Sequence, residues 1–459
     1  METSISAQIY LGRCSSEANY FRMECINIWG MNMSRVKDPR LSKEGMEELD
    51  WARENMPMLA TIGKRFEKEK PFKGMSVGVC LHLEKKTGIL LETLVKGGAK
   101  VSAASCNPLT TDDRVAAALA DEGIEVYAWT GENEKEYYQN INRVLDSEPD
   151  MLIDDGCDQI FMVHTKRKEL IGKIKGACEE TTTGVTRLRA MQRDGKLKFP
   201  VVAVNDAYSK FLFDNRFGTA QSTIDAIMRA TNKLIAGKTA VVVGFGWCGR
   251  GISDRLRGLG ANVIVVEICG RLGKAEGPAG QHKALEALYS GFRVMNLDDA
   301  AAEGDLFITS TGNIDVITRK HFEKMKDGTI LANAGHFNNE IDIKGLSEIS
   351  KKRERVKDNV ERFTMKDGRR LYLLSEGRLV NLSRPSGQGH PIEIMDGSFS
   401  IQALSLEFIS KNKLPAGVVS VPSKIDDEVA ELALAVNGIE LSKPTKEQER
   451  YANSWKEGT

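Results

Sequence analysis

The residues best able to move protons or grip a sugar in this 459-residue sequence stand at the ends of short apolar runs. They are His82, Asn107, Asp154-Asp155 with Asp158, the run Glu179-Glu180-Thr181-Thr182-Thr183, and Asn205-Asp206. Taken singly, Asp155 or Glu180 is explained as a cap on a strand end. Five polar clusters in succession, most with a carboxylate or an imidazole, point to one shared site, because ligands of open α/β sheets bind beyond the carboxyl ends of the strands. Lys210 and Asp214 are four residues apart, so on a helix they share a face. They are either a surface pair or a lysine held by a carboxylate for proton transfer.

A different chemistry is written in Val241-Val-Val-Gly244-Phe-Gly246-Trp-Cys-Gly249-Arg-Gly251. An apolar strand precedes it and a helical pattern follows. Gly244 permits a tight turn, Gly246 lets backbone approach a pyrophosphate, and Gly249 lets helix and strand pack closely. The helix start offers unpaired N–H groups and a positive dipole end to the phosphates. Glu267 ends the next strand, 23 residues after Gly244, where a carboxylate accepts from ribose hydroxyls and repels a 2′-phosphate. That pattern predicts NAD rather than NADP. The Gly-rich stretch after Glu267 is longer than a crossover needs; its Arg271 and Lys274 read as a solvated loop.

Two tandem α/β units are needed to position these residues. Strands are predicted at Met75–Leu81, Ala99–Ala103, Ile124–Ala128, Met151–Ile153 and Val201–Val204, with helices between, such as Thr87–Lys96 and Asp112–Ala120. A second run begins at Thr239 and continues through Val263–Glu267, Leu306–Thr309 and Thr329–Ala332, after a helix over Thr219–Ile235. Strands alternating with ten-residue helical patterns imply right-handed crossovers and parallel sheets covered on both faces. After Asp342 the pattern loosens into a basic segment, then a loop at Ser386–Gly389 and a helix from about Ser400. The fold class is therefore α/β, with two doubly wound parallel-sheet domains and a short C-terminal helical tail.

Composition narrows the function classes. Lys+Arg and Asp+Glu are 64 each, so there is no basic excess of the kind phosphate-backbone binding requires, and a nucleic-acid partner is disfavoured. No apolar run approaches the ~20 residues of a membrane span, and Met1 to Cys14 shows no signal-peptide pattern. Eight cysteines without a Cys-x-x-Cys pair predict free thiols, those of Cys80, Cys106 and Cys157 buried, and a cytoplasmic protein. Residues 1–37, with no clear period, read as an extension outside the fold.

His82-Leu-Glu-Lys-Lys-Thr, Ile153-Asp-Asp-Gly, Glu179-Glu-Thr-Thr-Thr-Gly, Asn205-Asp with Lys210 and Phe213-Asp-Asn215, Gly244-Phe-Gly-Trp-Cys-Gly, Asn333-Ala-Gly-His336-Phe, and Glu376-Gly-Arg-Leu-Val-Asn381 through Gly389-His390-Pro occur in order. Together, over about Asp38 to Thr459, they resemble the S-adenosyl-L-homocysteine hydrolase family in its archaeal or thermophilic-bacterial form. The resemblance implies a substrate-binding domain over 38–215, completed by 383–431, a Rossmann NAD-binding domain over 216–382, and a tail over 432–459. It implies reversible hydrolysis of a nucleoside thioether: NAD-dependent oxidation at the ribose C3′, elimination of homocysteine, addition of water and re-reduction.

By motif, Lys210 with Asp214 would handle the 3′-hydroxyl proton and Glu180 would grip the ribose hydroxyls. His82 and Asp155 would manage protons at C4′ and C5′, while Asn205 and His336 would orient and tune the site. Glu84, Lys86, Thr87 and His390 would meet the substrate, His390 at the mouth of the cleft. Thr181, Thr182, Thr183, Asn215, Gly244, Gly246, Gly249, Glu267, Asn313 and Asn381 would meet NAD. No metal is implied, and a cytoplasmic homo-oligomer, dimer or tetramer, is. Departures from the family pattern are a longer Asn381–His390 segment, a longer loop after Glu267, and an end at Lys456-Glu-Gly-Thr459 without the eukaryotic Lys/Tyr tail. Lys86 stands where the mammalian form has a glutamate that accepts from the adenine amino group. A lysine is donor-only, so it either donates to a ring nitrogen or to the 6-oxo group of hypoxanthine, or faces solvent and pairs with a helix carboxylate. The base is thus open between adenosyl and inosyl. Two other readings, a 2-hydroxy-acid dehydrogenase and a non-catalytic NAD-binding regulator, conflict with the Glu-Glu-Thr-Thr-Thr and Asp-Asp-Gly segments and with the intact proton-transfer groups.

Overall fold

The computed structural model describes residues 24–26, 33–271 and 277–456. In the first unit, strands β1 (Glu24–Ile26), β2 (Met33–Val36), β3 (Ser76–Leu81), β4 (Lys100–Ser105), β5 (Glu125–Ala128), β6 (Met151–Asp154), β7 (Gly176–Glu179) and β8 (Pro200–Ala203) form one sheet. In the second lie β9 (Thr239–Val243), β10 (Asn262–Val266), β11 (Arg293–Met295), β12 (Leu306–Thr309), β13 (Ile330–Asn333), β14 (Ser350–Lys357), β15 (Val360–Met365) and β16 (Arg370–Leu374). Strand β17 (Gly417–Ser420) returns to the first sheet, beside β8.

The orders are β1-β2-β5-β4-β3-β6-β7-β8-β17 and β11-β10-β9-β12-β13-β16-β15-β14. From β5 to β8 and from β11 to β16 the strands are parallel and follow the same doubly wound pattern, with the order reversing beside β3 in the first sheet and beside β9 in the second. The switch points are therefore β3/β6 and β9/β12. The central strands are near-continuous apolar runs, such as Ala240-Val-Val-Val243 and Val263-Ile-Val-Val266, because both sheet faces are buried under helices. Cys80, Cys106, Cys157 and Cys178 are buried free thiols. Among the described residues no helix is long and apolar enough to cross a membrane.

Four expectations change. Residues 1–37 lie mostly outside the described residues, but Met33–Val36 is a strand, pairing parallel with β5 through Arg35↔Tyr127 and Val36↔Ala128. Ser34 and Val36 alternate inward there, a period-2 signal too short to read alone. The basic segment after Asp342 is an antiparallel meander, β14–β15–β16, that extends the second sheet. Its edge strand is exposed and studded with Lys351, Lys352, Arg353 and Arg355, charges that hide the strand pattern and protect an open edge from further pairing. The helix expected from Ser400 starts at Ile392, directly after Pro391, and runs to Lys411. The helix expected over Thr219–Ile235 ends at Thr231, where Asn232 takes a left-handed conformation.

Candidate active site

The first switch point opens between β3 and β6, and the chain leaves these neighbouring strands through His82 and Asp155. His82 Nδ1 lies 2.8 Å from Thr110 Oγ1. That hydroxyl has the Asn107 carbonyl to donate to at 3.1 Å, so it accepts from Nδ1–H and leaves the lone pair on Nε2. Nε2 faces Asp155 Oδ2 at 3.3 Å. Burial, with Glu180 nearby, pushes the Asp155 carboxyl well above its usual range, and burial with the neighbouring His336 and His390 holds His82 well below its own. Burial therefore favours the protonated acid on Asp155 and the neutral imidazole on His82.

His336 arrives from the second unit, on the turn after β13. Asn333 pins that turn by donating to the carbonyls of Gly335, Phe337 and Gly377. His336 Nδ1 stands 3.6 Å from Asp155 Oδ1, and burial lowers this imidazole to about 4, so it too is neutral at neutral pH.

Beside this group sits the lysine. A π-helical stretch, Phe211–Gly218, follows Lys210 and swings Asp214 and Asn215 toward it; such bulges are frequent at functional sites. Lys210 Nζ is 3.1 Å from Asp214 Oδ1, 3.4 Å from Glu180 Oε1 and 2.9 Å from Asn215 Oδ1. Burial disfavours its charge, but Asp214 and Glu180 overcome that and raise it. Burial likewise opposes the Asp214 charge, and Lys210 with His390 overrides it, holding the carboxyl below its usual range. Glu180 is raised by burial against the pull of Lys210. Asn215 Nδ2 donates to Asn205 Oδ1, which also accepts from the Thr182 hydroxyl, so one amide chain ties Lys210 to the Thr182–Arg193 helix start. Thr181 caps that helix, accepting from Thr183 N at 2.9 Å.

His390 also joins the lysine group: Nδ1 lies 3.2 Å from Asp214 Oδ2 and Nε2 3.3 Å from Thr219 Oγ1. Thr87 is buried and its hydroxyl donates to the His82 carbonyl at 2.6 Å. Lys86 is not in solvent. It is 2 % exposed, paired with Glu84 Oε2 at 2.8 Å, and donates to the Gln388 carbonyl at 2.9 Å, which pins the Asn381–His390 segment over the first unit. That use leaves one of its three protons for a ligand.

Further residues support the site from below and from the last part of the chain. Asp154 and Glu179 lie under the site, opposite each other on β6 and β7. Asp154 accepts from Asp155 N and Ile160 N, and Glu179 Oε1 accepts from Gly156 N and Thr181 N, so together they hold the turns that carry Asp155 and Glu180. Burial pushes Asp154 up to about 7. From the last part of the chain, Ser398 donates to Asp214, Gln402 donates to Glu180, and Asp426 accepts from Tyr208 N and Ser209 N, fixing the turn before Lys210. These are ordinary helix residues with no local signal.

At the second switch point Gly244 has φ +98°, and a Cβ on Gly249 would meet the Gly244 carbonyl oxygen at 1.8 Å. A Cβ on Gly246 would meet nothing within 4 Å, so the backbone before the Trp247–Gly258 helix stands open to a phosphate. Glu267 Oε1 accepts from Phe245 N at 2.6 Å and lies 3.4 Å from Lys283 Nζ, placing its carboxylate at the strand end. Asn381 donates to Ser222 Oγ, while its own buried Oδ1 has no protein partner, an acceptor suited to an amide donor such as the nicotinamide carboxamide. Asn313 is half-buried on the loop after β12 and accepts from Ile314 N. Arg271 is described, while Lys274 lies outside the described residues. Glycine cradle, placed carboxylate and unpartnered amide oxygen fit NAD.

Comparison with known proteins agrees with this geometry. Residues 33–171 match the profile of S-adenosyl-L-homocysteine hydrolase, and residues 215–387 match that of the S-adenosyl-L-homocysteine hydrolase NAD binding domain. The chain is 57% identical to the S-inosyl-L-homocysteine hydrolase of Methanopyrus kandleri, over 92% of this chain and 98% of the relative. It is 54% identical to the adenosylhomocysteinase of Pyrococcus abyssi, over 92% of this chain and 98% of the relative. Identity to the adenosylhomocysteinase of Sulfolobus acidocaldarius is 52%, over 93% and 99%.

Proposed function

The chain belongs to the S-adenosyl-L-homocysteine hydrolase family, and from that premise we propose that it hydrolyses S-adenosyl-L-homocysteine reversibly to homocysteine and adenosine, with NAD as resident cofactor. The observation that carries this reading is the meeting of Lys210, Asp214 and Glu180 with the His82–Asp155 pair in one cleft that His336 closes from the other unit. We read 38–215 with 383–431 as the substrate domain, 216–382 as the NAD domain and 432–459 as a tail.

NAD would be held by the Gly244–Gly249 loop, Glu267, Asn381 and the Thr181–Thr183 turn, and supplies a hydride acceptor for the ribose C3′ that later gives the hydride back. Glu180, facing Lys210, grips the ribose hydroxyls. Transfer of one Lys210 proton to the Glu180 carboxylate, whose proton affinity burial already raises, leaves an amine that takes the 3′-hydroxyl proton. Asp214, His390 and Asn215 keep that amine aimed. A 3′-ketone acidifies the C4′ proton; His82 Nε2 takes it, and the 5′ sulfur leaves with the proton of the Asp155 carboxyl. When water adds at C5′ the Asp155 carboxylate takes a proton from the water and His82 returns its proton to C4′. Neutral His336 holds the Asp155 side of this pair.

A second reading, the same reaction on S-inosyl-L-homocysteine, is favoured by Lys86, whose remaining proton suits a 6-oxo acceptor. Thiol release from the two thioethers, compared on purified protein without added NAD, decides between them; release from neither defeats both. We further infer a cytoplasmic homo-oligomer, dimer or tetramer. Buried free thiols support the compartment, and exposed Leu285, Leu288, Tyr289, Leu441 and Trp455 support the assembly. Light scattering on the purified protein tests the assembly.

A further inference from the structure

Cys106 has no part in the chemistry above, yet its thiol is buried against the reacting pair. Its Sγ lies 3.5 Å from Asp155 Oδ2, the oxygen that is 3.3 Å from His82 Nε2, and the three atoms all fall within 4.8 Å of one another. A tetrahedral zinc ion bonds nitrogen and oxygen at about 2.0–2.2 Å and sulfur at about 2.3 Å, which separates its ligand atoms by about 3.3–3.5 Å. Both observed edges have that length.

We propose that His82 Nε2, Asp155 Oδ2 and Cys106 Sγ form a three-ligand site for a zinc-class divalent ion, which inhibits the protein by competing with substrate. A mixed N, O and S set selects zinc or cobalt over magnesium or calcium, whose ligands are oxygens. The imidazole is already oriented: its Nδ1 donates to Thr110 Oγ1, the outer hydrogen bond that fixes the tautomer of metal-binding histidines. The backbone around it is firm, because Asp155 N is held by Asp154 and Thr110 by the Asn107 carbonyl. The ion replaces the protons of the Asp155 carboxyl and the Cys106 thiol, which leave to solvent; nothing is oxidised or reduced. One thiolate and one carboxylate then balance its two charges, and the fourth position stays open toward the cleft. That occupancy stops turnover rests on the roles given to His82 and Asp155 above.

The test uses the full chain with NAD bound and cobalt(II) as the spectroscopic stand-in for zinc. The parent should show thiolate-to-cobalt charge-transfer absorption that saturates at one ion per chain and disappears in both Cys106→Ser and Cys106→Ala. Zinc should inhibit thiol release competitively with the thioether. Each variant should need more than about tenfold more zinc for half-inhibition, measured against its own zinc-free rate. Absence of the absorption in the parent, its survival in both variants, or inhibition indifferent to substrate concentration overturns the proposal. The cobalt spectrum needs no turnover, so its failure is separate from any failure of the thioether-hydrolase reading.

Discussion

Beyond β9 the chain turns on Gly244, Gly246 and Gly249, whereas the equivalent turn beyond β3 carries His82 and then a buried Glu84–Lys86 pair. The strand order around the two positions is the same. What differs is the kind of group the ligand meets. A pyrophosphate is satisfied by backbone N–H groups, so the second switch point needs small residues and an open helix start. A ribose that must lose and regain protons needs side chains with displaced pKa values, so the first is furnished with His82, Asp155, Glu180 and Lys210. A backbone site is built within one turn of chain. The side-chain site is built by convergence, drawing His336 from β13 of the other unit and Asp214 and His390 from the connections between units.

The contrast breaks most completely at the glycine loop. Gly249→Ala sets a methyl carbon against the Gly244 carbonyl oxygen, and the protein should purify without NAD and release no thiol. Cofactor content after acid extraction measures it; a variant with full NAD content removes this loop as the cradle. At the other switch point the loss should be large but separable from cofactor. Lys210→Ala should keep NAD and lower thiol release by about 10²- to 10⁴-fold, the usual weight of one proton-transfer group. A fall of less than tenfold would take the 3′ proton away from Lys210.

A smaller effect should follow from the convergent supports. Asp426→Ala removes the carboxylate that accepts from Tyr208 N and Ser209 N, which costs about 1–3 kcal/mol of local order. We expect kcat to drop roughly fivefold to a hundredfold with KM and bound NAD little changed. An equal change in KM and NAD content would mark Asp426 as general scaffold. The smallest concerns the base. Lys86→Met leaves Glu84 without its partner and removes the one remaining donor, so the inosyl-to-adenosyl ratio of kcat/KM should fall by about tenfold. An unchanged ratio removes Lys86 from base selection.

The difference between the switch points also explains what could be read in advance. The glycine loop, Glu267 and the alternation of strands and helices are local patterns, and residue types alone announced them. His82, Asp155 and Glu180 were legible as polar residues at strand ends and Lys210 as the helical partner of Asp214, and the family resemblance supplied their roles. The placement of His390 against Asp214 was not legible, because it depends on where the Ile392–Lys411 helix begins and how the preceding segment docks on Lys86. Asp426 and Gln402 were equally hidden, since a helix residue more than 200 positions from its partner leaves no periodic trace. The β14–β16 meander was masked by its own charge.

The central claim is that both switch points serve a single substrate, with the hydride taken and returned within one visit. It is tested most directly by counting thiol released against NAD bound, in purified protein with no cofactor added. The account predicts many thiols per chain while extractable NAD stays constant. Release that stops after one thiol per chain and resumes only when NAD is supplied would contradict it.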